Sequence, residues 1–301
     1  MEQTRLRILF LANVPSPYRV EFFNVLGREC DLTVLYQLHS SAERDKKWTA
    51  QADTCYAQVY LKGRATSVDK ALCPGVIPWL QKDWDAIVIS GNTSPTELLA
   101  IAWCKLRGIP YCLEADGAFP GSGRGLKELI KTQAVRGAAM YLSTCRELDK
   151  YYLHYGAEAR RIRRYRFSSL GEADILPRCP SREEKNAIRG ELGIREEKVL
   201  LSIGQFIPRK GIDLLLQAAN GMDKRIGIYI IGGTPTEEYL TFARENDLTS
   251  VHFVPFQEKE ALKRYYIAAD AFVLPTREDI WGLVVNEAMA FGLGVVTTDR
   301  C

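Results

Sequence analysis

The sequence predicts an α/β fold in two units, each a parallel sheet covered on both faces by helices. Three observations carry this. Short apolar runs alternate with stretches of helical period, the pattern of strands that feed crossover helices. The alternation breaks once, over about residues 166–197, and then restarts. The chain has 301 residues, the length of about two domains by the usual size of a folding unit.

Arg7 to Ala12 is a β-rich apolar run, closed by a loop with Asn13, Pro15, Ser16 and Pro17. Val20 to Leu26 is amphipathic and predicts a helix. Asp31 to Tyr36 and Ala86 to Ser90 read as strands, and Ser94 to Leu106 is apolar at helical spacing. Pro110 to Leu113 is a strand followed by the polar loop Glu114-Ala-Asp-Gly117; Leu126 to Arg136 is a helix and Met140 to Ser143 a strand. From about Arg160 to Glu197 the chain is charged, contains Pro177 and Pro180 and has no long apolar run before Val199. This reads as an interdomain connection carrying a short helix near Arg182 to Leu192. The expected division is a first domain over 1–165, a linker region over 166–197 and a second domain over 198–301.

In the second domain Lys198 to Ile203 is a strand and Gly211 to Ala219 opens a helix. Ile226 to Ile231 and Val251 to Val254 are strands, Lys259 to Ala268 a helix and Ala271 to Leu274 a strand. Gly282 to Phe291 is helical and Gly294 to Thr298 a last strand. Both halves are therefore Rossmann-like. Ligands of such sheets bind outside the carboxyl ends of the strands, so the expected site lies where the two units face each other across a cleft.

Composition narrows the class. With 47% hydrophobic and 26% charged residues the chain is an ordinary globular protein. Met-Glu-Gln-Thr-Arg-Leu-Arg leads straight into Ile-Leu-Phe-Leu, a run too short for a signal-peptide core, and no apolar run approaches a membrane span of about 20 residues. The eight cysteines include no C-x-x-C pair and read as reduced thiols. A cytoplasmic location is expected. The three histidines show no metal-ligand spacing. Up to Pro180 there are 25 basic and 19 acidic residues, and beyond it 15 and 18. The basic first half includes Arg160, Arg161, Arg163, Arg164 and Arg166. It suits peripheral docking on anionic lipid or an anionic acceptor, or is simply a solvated, Arg-rich linker face. No nucleic-acid partner is expected.

Two loops of the second unit carry the chemistry. Gly204-Gln-Phe-Ile-Pro-Arg-Lys-Gly211 joins a strand to a helix. It sets backbone N–H groups and a helix N-terminus at the sheet edge, where Arg209 and Lys210 can add full charges toward a diphosphate. A surface loop that happens to carry Arg-Lys is the bland alternative. The second loop and its helix run from Pro275 to Gly292, with Asp279 in the loop and Glu287 eight positions on, inside an apolar helix. A buried Glu287 needs a partner: ribose hydroxyls, or a neighbouring Arg in a merely structural reading. Gly282 lets backbone approach a ligand, and the N–H groups of Leu283 and Val284 open the helix toward a phosphate.

The pattern acid-x7-Glu around Trp-Gly-Leu-Val, followed by Glu-Ala-Met-Ala-x-Gly, resembles the signature of the group 1 (family 4) glycosyltransferases of the GT-B fold. The Gly204–Gly211 loop resembles that family's basic donor-phosphate motif, and Ala269 to Thr276 the strand leading into its acid motif. In the first half, Pro15-Ser-Pro-Tyr-Arg-Val-Glu-Phe-Phe-Asn24 and Glu114-Ala-Asp-Gly117 resemble the branch of bacterial polysaccharide biosynthesis.

The resemblance implies transfer of a sugar from a nucleotide-diphosphate sugar, UDP first and GDP second, to a saccharide or lipid-linked acceptor with retention of configuration. Arg209 and Lys210 would hold the diphosphate and stabilise the leaving group, and Glu287 would bind the ribose. Asp279 stands at the family's first acid, which contacts hydroxyls of the transferred sugar. That acid is usually Glu, and adjacent Glu278 is the other candidate, although the spacing to Glu287 favours Asp279. No metal or other cofactor is expected. The Asp-x-Asp of the chain, Asp83-Trp-Asp85, precedes a strand and reads as a solvated turn. In the first half Asn13, Ser16, Asn92, Glu114 and Asp116 lie at predicted strand ends and are the candidates for the acceptor or sugar side, with loop capping the other reading for Asp116.

Relatives continue past the strand that ends near Thr298, and the second domain is expected to be incomplete at Cys301. A binding protein without turnover is therefore the alternative to an enzyme. A sugar-nucleotide epimerase or a phosphorylase is a third reading, less suited to the acid-x7-Glu motif.

Overall fold

The computed structural model describes residues 5–40, 54–121, 123, 125–279 and 281–301. They form two compact units, Met1–Phe167 and Ser168–Cys301.

The first unit contains β1 (Arg7–Ala12), α1 (Pro17–Glu29), β2 (Asp31–Tyr36), β3 (Ala57–Tyr60), the short strands β4 (Arg64–Ala65) and β5 (Ala71–Leu72), and α2 (Ile77–Leu80). It continues with β6 (Ala86–Ser90), α3 (Pro95–Arg107), β7 (Cys112–Glu114), α4 (Leu126–Val135), β8 (Met140–Ser143), α5 (Arg146–His154) and β9 (Ile162–Arg164). Seven strands form one sheet in the order β3-β2-β1-β6-β7-β8-β9, all paired parallel, while β4 and β5 make a separate antiparallel pair. The chain winds outward from β1 to β3, then returns to β6 on the other side of β1. This reversal is the topological switch point of a doubly wound sheet.

Both faces of this sheet are covered, which is why its strands read as unbroken apolar runs. On β1, Leu9 and Leu11 pack with Ile101 and Cys104 of α3, Val135 of α4 and Leu148 of α5. Phe10 and Ala12 point the other way, into a cluster with Phe23 of α1. Helix α3 begins with a full capping box: Ser94 accepts from the Glu97 amide at 3.1 Å, and Glu97 accepts from the Ser94 amide at 2.9 Å.

The second unit contains α6 (Arg182–Leu192), β10 (Lys198–Ile203), α7 (Ile212–Ala219), β11 (Ile226–Ile231), α8 (Glu237–Glu245), β12 (Val251–Val254), α9 (Lys259–Ala268), β13 (Ala271–Leu274), α10 (Leu283–Ala290) and β14 (Gly294–Thr297). Its parallel sheet has the order β12-β11-β10-β13-β14, so the switch point lies between β10 and β13. Leu201 and Phe272 meet side by side there. Alternate residues again serve two cores: Tyr229 and Ile231 join Tyr266 and Phe272, whereas Ile228 and Ile230 join Ile212, Leu215 and Leu216 of α7.

The expected linker region, 166–197, falls with the second unit from Ser168 onward. Arg189 of α6 is buried and donates to the Ala268 carbonyl at 2.8 Å and to Asp270 at 2.8 Å. Asp174 is ion-paired to Lys259 at 2.9 Å and Lys263 at 3.2 Å, both on α9. These bonds anchor a polar stretch that lacks an apolar run. The Arg-rich segment supplies the edge strand β9, where exposed charge discourages further strand pairing. Arg164 there pairs with Asp149, and Arg160 with Glu158 at 2.8 Å. Asp85 accepts the Arg7 amide at 2.7 Å and Asp83 is fully exposed, in keeping with the turn read at Asp83-Trp-Asp85. All eight cysteines are unpaired thiols. No described helix is long and apolar enough to cross a membrane.

Candidate functional site

The switch point of the second unit brings the two sequence-predicted loops together. The basic loop leaves β10 and the acid loop leaves β13, the strand paired beside it. Main-chain bonds tie them: the Arg209 carbonyl accepts the Arg277 amide at 2.8 Å and the Thr276 hydroxyl at 2.9 Å. Arg277 reaches back across the junction, donating to the Pro208 carbonyl at 2.8 Å and pairing with Asp213 of α7 at 2.5 Å. Gly211, at φ +67°, is where the loops touch most closely. A Cβ built on it would lie 2.0 Å from the Pro275 carbonyl oxygen. Only glycine allows that backbone shape together with that approach.

Within this junction Lys210 and Asp279 form an ion pair between side chains that are 12% and 15% exposed. The Asp279 carboxylate also accepts the amides of Gly282 at 3.1 Å and Trp281 at 3.4 Å. Burial pushes its carboxyl up. The Lys210 ammonium and the two amides outweigh that, so it lies below the usual carboxylate range. Arg209 is exposed and donates to the Glu278 carbonyl at 3.2 Å, a neutral acceptor. The Glu278 side chain is exposed. Ile280 lies outside the described residues.

Gly204 follows β10, and the methylenes of Lys210 pass over it. Gly282 precedes α10 in the left-handed region at φ +62°, which favours glycine, and Leu283 and Val284 are the first two residues of the helix. The first amides of a helix have no intrahelical acceptor. Glu287, one turn further along α10, accepts from the Tyr266 hydroxyl at 2.8 Å. Tyr266 is buried and stacked on Phe291, and burial first, then the Glu287 charge, push its phenol well up, so it stays a donor. Among the described residues the Tyr266 hydroxyl is thus a partner of Glu287, one that the sequence did not suggest.

In the first unit the predicted positions divide. Glu114 is a correction: it is the last residue of β7 and 1% exposed, rather than part of an open loop. Its carboxylate is held by Arg19 at 2.8 and 2.9 Å, by the Ser90 hydroxyl at 2.6 Å and by the Tyr165 hydroxyl at 2.5 Å. Arg19 also pairs with Asp116 at 2.5 Å. Asp116 is partly exposed, and its second oxygen faces the Tyr18 hydroxyl at 3.4 Å. Ser16 is buried just before α1, and the Asn13 side chain accepts the Val14 amide at 2.8 Å. Asn92 is buried and accepts from the Tyr151 hydroxyl at 3.0 Å.

Sequence reasoning missed Arg19 as a site residue. The signal was available: Arg19 precedes Val20 and Phe23 on the buried face of α1, and a buried guanidinium requires carboxylates. Tyr165 was missed because it follows a strand of only three residues.

Comparison with known proteins agrees with this geometry. Residues 184–301 match the family described as glycosyl transferases group 1. The putative teichuronic acid biosynthesis glycosyltransferase TuaC of Bacillus subtilis is 28% identical over 198 residues, covering 64% of this chain and 47% of that protein. The D-inositol 3-phosphate glycosyltransferase of Geodermatophilus obscurus is 31% identical over 186 residues, covering 56% of this chain and 39% of that protein. The matched stretches thus span less than half the length of these relatives. Among solved structures, Anabaena Alr3699/HepE in complex with UDP superimposes with a TM-score of 0.73 at 15% identity, over 98% of this chain and 81% of that one. The same protein with UDP-glucose gives 0.70 at 15% identity over the same shares. At such identities the likeness establishes the fold. The second unit thus matches the group 1 glycosyltransferase family over residues 184–301, and the chain has the GT-B fold of its structural neighbours, built from two Rossmann-like domains.

Proposed function

We propose that this chain is a retaining glycosyltransferase that binds a nucleoside-diphosphate sugar, a UDP-sugar in the first instance, at the β10–β13 edge of its second unit. The observation that carries the reading is the junction itself: Arg209 and Lys210 are tied by main-chain bonds to the loop that opens toward Glu287. A diphosphate meets Arg209, Lys210 and the first amides of α10 there. Glu287, steadied by Tyr266, is offered to the ribose hydroxyls. The complexes of Anabaena Alr3699/HepE with UDP and UDP-glucose support UDP as the donor base.

In the proposed reaction the bond between the anomeric carbon and the diphosphate oxygen breaks through an oxocarbenium-like transition state. Arg209 and Lys210 stabilise the negative charge that builds on the departing diphosphate. The acceptor hydroxyl attacks from the same face, its oxygen forms the new bond, and its proton passes to the departing phosphate oxygen. Charge stabilisation by these two cations asks for no metal. The acceptor is a saccharide or a lipid-linked saccharide, with Asp116 and Asn92 the first-unit groups nearest to such a role. A lipid-linked acceptor would hold the chain at the inner face of a membrane.

Melting curves with UDP, GDP and UDP-glucose test the donor reading, because a ligand of the native state raises stability by mass action. A ligand at about 100 times its Kd adds about 2.7 kcal/mol. Stabilisation by UDP and UDP-glucose, with UDP released from UDP-glucose on incubation, is the expected result. No stabilisation by any of the three would overturn it.

A further inference from the structure

Asp279 stands where the family resemblance implies contact with the transferred sugar, yet its carboxylate is turned into the protein. One oxygen accepts the amides of Gly282 and Trp281, and the other is paired to Lys210. Three of the roughly four acceptor positions of a carboxylate are therefore filled, and the side chain is only 15% exposed. Lys210 is held differently. Its methylenes lie over Gly204, and its ammonium has three N–H donors, of which one is given to Asp279. The pair fixes the direction of the ammonium without exhausting it. The main chain adds to this: the Asp279 amide donates to the Arg300 carbonyl at 2.8 Å, which fixes the backbone that carries the carboxylate.

We infer that Asp279 is a positioning residue that acts on the donor's diphosphate through Lys210, and not a residue that reads the hydroxyls of the transferred sugar. This rests on the donor reading above and deepens it. A flexible lysine must lose side-chain freedom to meet a phosphate, and a partner that has already fixed it removes part of that loss before the ligand arrives. An acid of this length, bonded to the loop amides, closes the loop and aims the lysine at once. The consequence is a specificity statement: removing Asp279 weakens every nucleoside diphosphate alike, with or without a sugar attached.

Calorimetric titration of UDP and UDP-glucose into wild type, Asp279→Asn, Lys210→Ala and the double variant tests this. Asparagine keeps an oxygen for the two amides and loses the charge that holds Lys210. The expected result is an equal loss of affinity for UDP and UDP-glucose, about tenfold, the scale of one weakened charge-assisted hydrogen bond. In the Lys210→Ala background Asp279→Asn should cause no further loss. A loss confined to UDP-glucose would overturn the inference, as would an unchanged or raised affinity for UDP, or a full-sized loss that persists without Lys210. Should Asp279→Asn melt too low to titrate, Asp279→Glu replaces it: a carboxylate acting through Lys210 shifts both ligands together, and one reading the sugar shifts UDP-glucose alone. Wild type that binds neither ligand overturns the donor reading along with this one, and that failure shows before any substitution is made.

Discussion

The contact between the two loops gives a sharp quantitative prediction at Gly211. Replacing it with alanine forces an L side chain into φ +67°, which costs about 1–2 kcal/mol. The new Cβ would also lie 2.0 Å from the Pro275 carbonyl oxygen. Backbone cannot rotate aside as a side-chain tip can, so the basic and acid loops must part, and overpacking of this kind adds about 1–3 kcal/mol. Gly193 is a matched control in the same unit: it has φ +71°, and a Cβ there meets nothing within 4 Å. Gly193→Ala should therefore show the conformational cost alone. Urea unfolding of both variants measures the difference, expected at about 1–3 kcal/mol in the same direction. UDP titration of Gly211→Ala should also show weakened binding, because the main-chain bonds from the Arg209 carbonyl align Lys210 with Asp279. Equal unfolding free energies for the two variants would refute the close approach of the loops, and with it the geometric basis of the site.

Other substitutions test other parts. Glu287→Gln keeps an acceptor for Tyr266 and should preserve stability while weakening donor binding, whereas Glu287→Ala should lose both, with about 1 kcal/mol of stability going as the Tyr266 hydroxyl falls back on the Val284 carbonyl, 3.4 Å away; thermal melts beside UDP titrations separate the two. Arg19→Met leaves Glu114 buried without its cation and should cost about 3–5 kcal/mol, read by chemical denaturation of the first unit. Asp174 sets an acid limit: burial opposes its charge, but Lys259, the Gly171 amide and Lys263 outweigh this and hold its carboxyl below the usual aspartate range. A depressed carboxyl contributes stability that is whole above its unfolded value and is lost as pH falls through its folded one. Wild type should therefore lose stability below about pH 4 more steeply than Asp174→Asn in pH-dependent melts.

Much of this was legible in the sequence because parallel strands buried on both faces leave unbroken apolar runs. Lys198–Ile203, Ile226–Ile231 and Ala271–Leu274 stand where the pattern puts them. The elements that escaped are those whose burial is partial. β3 and β9 are sheet edges of four and three residues, and β9 reads Ile-Arg-Arg. α5 and α8 are short helices with polar outer faces. The acid and basic loops were visible as motifs, but their pairing was not, since Lys210 and Asp279 are 69 positions apart and meet only because β10 and β13 are neighbours. Glu114 was misplaced by one residue, from loop to strand, and that step moves a carboxylate from solvent into the core. No local pattern announces it; the guanidinium of Arg19, 95 positions away, is what makes it tolerable.

Topology alone offers two equivalent ligand edges, one at the β1–β6 reversal and one at β10–β13, so charge must decide which receives a diphosphate. At the first edge the buried guanidinium of Arg19 pairs with two carboxylates, Glu114 and Asp116. A guanidinium shared between two carboxylates is already engaged before any anion arrives. At the second edge Asp279 is paired with Lys210 and Asp213 with Arg277, while Glu287 accepts from the Tyr266 hydroxyl. Arg209 is added to these, and its described hydrogen bond goes to a neutral carbonyl. An incoming diphosphate can take that bond over without stripping a carboxylate of its partner, and Lys210 can serve it with donors that Asp279 leaves available. By the same reasoning the first edge suits a different ligand. A partly exposed carboxylate held rigid by an arginine favours hydroxyl groups, which donate to it without charge repulsion. The proposed assignment of donor anion to the second sheet and acceptor hydroxyls to the first thus draws support from how the cations at each edge are engaged, apart from the motif that first suggested it.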